Sequence, residues 1–127
     1  MARVRPHRHH LDIYDADLWL ATNASQWRAL ARMIGDVIED DPPDLAGQAT
    51  FATFHPDDGG MVTPTSVLWI AVAAHKTPAE LVNTCAHEAA HAAGHLLGHI
   101  GQEYGDANEA HAYLVGWLTQ WMWERCQ

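Results

Sequence analysis

Apolar and polar positions alternate near the start of the chain. Leu11 and Ile13, then Leu18 and Leu20, fall at period two on either side of Asp15-Ala16-Asp17, which predicts a hairpin. The period then lengthens. Trp27, Leu30, Ala31 and Ile34 recur at helical spacing behind Asn23, a capping residue with Gln26 three positions on. Gly35 with Asp36 ends that pattern, and Asp40-Asp41-Pro42-Pro43-Asp44 breaks helix and strand alike, so it reads as a loop. Gly47 to His55 is a second strand region with Phe51 and Phe54, followed by a turn over Pro56-Asp57-Asp58-Gly59-Gly60. Thr65 to Ala74 is rich in β-branched and apolar residues and predicts a strand buried on both faces.

Two helical patterns follow. Thr77-Pro78 is a cap followed by a first-turn proline. Leu81, Val82, Cys85, Ala86, Ala89, Ala93, Leu96 and Leu97 carry that helix to about Ile100, where Gly101 stops it. Asp106 opens the last helix, with Tyr113, Leu114, Trp117, Leu118 and Trp121 as its apolar stripe. The element order predicts a single α+β domain over residues 11–127, preceded by a flexible basic, His-rich arm over residues 1–10.

Composition narrows the function. Sixteen acids against seven bases give a net charge of −9, which speaks against nucleic acid or an anionic membrane as the main partner. No apolar run is long enough for a transmembrane helix, and the start lacks the apolar segment of a signal peptide. Cys85 and Cys126 match no CxxC pair, so the expectation is a reduced, cytoplasmic protein. Ten histidines change the picture, because His87, His91, His95, His99 and His111 crowd the last third.

The helix that begins at Pro78 contains His87-Glu88-Ala89-Ala90-His91. Residues i and i+4 share one helical face, so both imidazoles can reach one metal ion. Glu88, beside the first of them, is placed to act on a metal-bound water as general base. Small neighbours (Ala86, Ala89, Ala90, Ala92, Ala93) let another element approach closely. A catalytic zinc site needs a third protein ligand. His95 continues the stripe but stands about 12 Å along the axis from His87. A metzincin turn is absent, since Leu97 occupies the position three residues after Gly94 where a histidine is required. Glu109, on a helix antiparallel to the first, completes a His2Glu set of His87, His91 and Glu109, although it also fits a capping role for Asp106. His111, Asp106 and Glu103 are weaker ligand candidates. Tyr113 is the candidate electrophilic helper, with Tyr104 and His111 behind it, and core packing is its alternative role.

The segments Cys85 to Glu88 with His91, Asp106 to Ala110 and Ala112 to Leu118, with Trp19-Leu20-Ala21-Thr22 and Trp27, resemble small tailed-phage and prophage proteins described as HExxH zinc metallopeptidases. The likeness is strongest from Thr84 to Trp123. It implies a compact zincin-like fold, zinc as cofactor, a peptide or protein substrate, and action in the cytoplasm of a bacterial host. The two-helix arrangement is also similar to ImmA/IrrE-type peptidases, a likeness confined to the catalytic core. In zincins a strand beside the active helix pairs with extended substrate, and either Gly47 to His55 or Thr65 to Ala74 fits that part. The competing expectation is a zinc-stabilised phage protein that acts by contact, in morphogenesis or anti-defence.

Overall fold

The structure, a computed structural model, describes residues 4–35, 38–54, 63–102 and 109–127. The expectations for Asp36, His55, the turn at Pro56–Gly60, Glu103, Tyr104 and Asp106 lie outside those residues. Strands β1 (His7–Leu11) and β2 (Ala16–Ala21) form the expected hairpin. Its turn holds Asp15 at φ 46°, a left-handed conformation that Asp tolerates better than most side chains. Ile13 sits in that turn, 86% exposed, rather than in a strand. His7 to His10 belong to β1, so the arm expected over residues 1–10 is corrected there. These residues carry almost no apolar signal of their own. They are held by the ladder to β2 and by Asp17, whose Oδ1 lies 2.9 Å from both the Arg8 guanidinium and His10 Nδ1.

Strands β3 (Gly47–Phe54) and β4 (Thr63–Ile70) complete a four-stranded sheet in the order β1-β2-β4-β3. β2 and β4 are parallel, and the other two pairs are antiparallel. The expected strand to Ala74 ends at Ile70. Ile70 pairs with Gly47, the first residue of β3; the Ala71 amide makes one further bond, to the Ala46 carbonyl at 2.9 Å, and Val72–Ala74 then form a 3₁₀ turn.

Helix α1 (Ala24–Met33) covers one face of the sheet, burying Trp27, Leu30 and Ile34 against Ala21, Val67 and Trp69. Helices α2 (Pro78–His99) and α3 (Glu109–Arg125) cover the other, over Leu18, Leu20, Leu68 and Ile70. Period-two alternation thus feeds both layers, and β4 is buried from Thr65 to Ile70 as expected. Among the described residues no helix is long and apolar enough to cross a membrane.

The helix ends follow their caps. Asn23 accepts from the Gln26 amide and Thr77 from the Glu80 amide. In return Gln26 Oε1 accepts from the Thr22 amide at 2.7 Å, and Glu80 Oε2 from the Lys76 amide at 2.7 Å. At the far end of α2 the Gly101 amide donates to Gly98 and the Gln102 amide to Leu97, with Gly101 at φ 83°, which is a Schellman stop. The α3 stripe is rotated from the expected one. Leu114, Leu118, Trp121 and Met122 are buried, whereas Tyr113 is 78% and Trp117 40% exposed. The buried set follows the i, i+4, i+7, i+8 pattern of a helix seated on one neighbour, here α2.

Candidate metal centre

His87, Glu88 and His91 form a group of donors whose ligand atoms all lie within 4.8 Å of one another. α2 brings them together because a four-residue step is about one helical turn. The Nε2 atoms of His87 and His91 face each other at 3.2 Å. Two lone pairs held so close repel unless a proton or a cation lies between them. Two nitrogens bound to one tetrahedral zinc at about 2.0–2.1 Å would lie about 3.3 Å apart, so the pair fits a metal ion.

Glu88 is only 4% exposed, with Oε1 3.9 Å from His87 Nε2 and Oε2 buried with no hydrogen-bond partner among the described residues. Burial raises its carboxyl above the ordinary glutamate range, and the nearby His87 and His91 act in the opposite sense. A buried acceptor left unpaired is costly in a finished fold, and a cation or a reacting proton would satisfy it. The donor chemistry and the orphaned oxygen agree that this group can hold a metal ion.

β3 sets how Glu88 is held. A Cβ on Gly47 would lie 2.7 Å from Thr84 Cγ2 and 2.9 Å from Glu88 Cγ, so only glycine lets the strand close over this turn of α2. His75 also fastens this turn, through Thr84. Its Nδ1 lies 2.7 Å from the Ala71 carbonyl, which only accepts, so Nδ1 donates there; its Nε2 lies 2.7 Å from the Thr84 hydroxyl, which also donates to the Glu80 carbonyl at 3.2 Å. Gly47, His75 and Thr84 were not singled out from the sequence. The signal for Gly47 is the small-residue row Gly47-x-Ala49 facing an alanine-rich helix.

Glu109 does not join the group. It is exposed at the start of α3. The thiols of Cys85 and Cys126 are hydrogen-bonded across the antiparallel α2–α3 pair. That register sets Glu109 roughly 16 Å farther along the α2 axis than His91, at 1.5 Å per residue. Of the expected His2Glu set, the group among the described residues holds His87 and His91, with Glu88 beside them. Tyr113 lines a separate hollow of about 350 Å³ with His9, Asp12, Ile13, Tyr14 and Trp117. His111 is half-buried on α3. His95 and His99 turn to β3, their ring centroids 6.1 and 5.5 Å from that of Phe51, and burial lowers the His95 pKa.

Comparison with known proteins finds no matching family model, no matching curated protein and no matching solved structure.

Proposed function

We propose that the chain is a zinc metallopeptidase in which His87 and His91 supply two of the three protein ligands that a catalytic zinc needs and Glu88 is the general base. The observation that carries this reading is the buried Glu88 carboxylate, with Oε1 3.9 Å from His87 Nε2, beside the facing imidazole nitrogens. When bound, zinc supplies a Lewis acid that polarises a carbonyl and lowers the pKa of water towards about 7. Glu88 takes the proton of the attacking water at Oε1, the oxygen that faces His87, and passes it to the leaving amine.

A peptide substrate is supported by the sheet. β3 lies at an edge and packs beside α2, and β4, the other candidate, is paired on both sides. The two edges also differ in chemistry. β1 carries Arg8 and three histidines, whereas Gly47–Phe54 carries no charged residue. Charge discourages strand addition, and an uncharged edge invites it. The resemblance of the HExxH helix and of Ala112 to Leu118 to tailed-phage proteins supports a phage or prophage origin and a bacterial cytoplasm as the place of action.

The test is metal analysis of the full chain beside a Glu88→Gln variant. About one zinc per chain is expected in both, with hydrolysis of a peptide mixture reduced about 10²–10⁴-fold in the variant. A second reading is a metal-stabilised protein that acts by binding. It draws on the closeness of the three donors, in which Glu88 would itself be a ligand. In that case Glu88→Gln loses zinc rather than turnover alone.

A further inference from the structure

A hollow of about 290 Å³ opens where β3 begins, lined by Leu45, Ala46 and Gly47 on the strand side and by Asn83, Thr84, His87 and Glu88 on the helix. Resting on the peptidase reading, we propose that this hollow receives the side chain of the substrate residue next to the scissile bond and selects an uncharged one.

Size is the first argument. Pockets that enclose a whole small ligand run to about 300–1,000 Å³. This one is at or below that floor, which suits one residue of a longer chain. Position is the second. Gly47 meets Thr84 and Glu88, and Phe51 meets His95 and His99, so β3 and α2 run side by side in the same direction. A peptide added to the β3 edge lays alternate side chains towards α2, and the one at the Gly47 end falls into the hollow. Glu88, nine-tenths buried and with Oε2 unpartnered, is part of its lining.

Charge is the third argument. Apart from His87 and Glu88 the lining is uncharged. An entering carboxylate would face Glu88 in a poorly solvated space, where like charges are costly. An entering ammonium would pair with Glu88 and occupy the base. The Thr84 hydroxyl is taken up by His75, so Thr84 offers its methyl group. Leu45 and Ala46 add aliphatic surface, and the exposed Asn83 amide borders it.

The probes are the hydroxamates of N-acetylglycine, -leucine, -glutamate and -lysine, each anchored on the metal and differing only in side chain. Binding to the zinc-loaded full chain is read by calorimetry, so the result does not depend on turnover. The leucine compound is expected to bind at least tenfold tighter than the glutamate and lysine compounds. Asn83→Trp, an exposed helix position, should weaken the leucine compound at least tenfold and leave the glycine compound within about twofold, with zinc content unchanged. Ala46→Trp, from the opposite wall, should do the same. Equal affinity for all four compounds, or a leucine affinity unmoved in both variants, overturns the assignment while the metal site stands. A chain that takes up no zinc overturns the peptidase reading, and the assignment falls with it.

Discussion

At Gly47 a single methyl group would meet Thr84 Cγ2 at 2.7 Å and Glu88 Cγ at 2.9 Å. Gly47→Ala should therefore cost about 1–3 kcal/mol, the usual range for overpacking, read as a lower melting temperature. Zinc should still bind, because the side chains that must give way are those of Thr84 and Glu88 and not the two histidines. His10 offers a second test at this scale. Its hydrogen bond to Asp17, opposed by desolvation, raises its pKa above 6.5, and the charges of Asp17, Asp12 and Asp15 add to the rise. A base that binds its proton more tightly in the fold stabilises the hairpin below its ordinary pKa. That contribution is lost as pH rises through the raised value. Titration of the His10 ring by NMR should show the upward shift, and Asp17→Asn should return it towards 6.5. The donor group of His87, Glu88 and His91 was legible because HExxH writes its geometry into one helix. Gly47 was not, since its need arises only where two segments distant in sequence meet.

Caps act within a few residues, and that is why the ends of α1 and α2 were readable. Thr77→Ala should cost about 1 kcal/mol by removing the acceptor for the Glu80 amide, seen in chemical denaturation. The end of β4 was harder, because it depends on where β3 begins to pair. The same holds for β1, whose residues look like a solvated tail until β2 lies beside them. The partner of α3 is likewise a matter of contact. One register puts Leu118 and Met122 on α2 and leaves Tyr113 outside, and it carries Glu109 away from the histidines. Glu109→Ala should leave zinc content unchanged, a result that metal analysis distinguishes from the loss expected of a ligand.

The whole molecule is a sheet between one helix and two, with a separate apolar cluster on each face. Leu118→Ala, at a fully buried position under α2, should cost about 2–5 kcal/mol, while Tyr113→Ala should stay within about 0.5 kcal/mol. Thermal melts of the two variants decide this. The α+β class followed from the order of periodic segments alone. Strand order did not, because hydrophobic alternation states which face is buried and not which neighbour is beside it. The uncharged border of the sheet also has a consequence for handling. A strand reading GQATFATF, open along one side and free of lysine or proline, is a template for any other extended chain, including a second molecule of the same kind. Concentrated solutions should therefore form β-rich aggregates, followed by light scattering, and Thr53→Lys at its exposed end should slow them. The gatekeeper that protects the stored protein would then stand in the path of a peptide entering along the same strand.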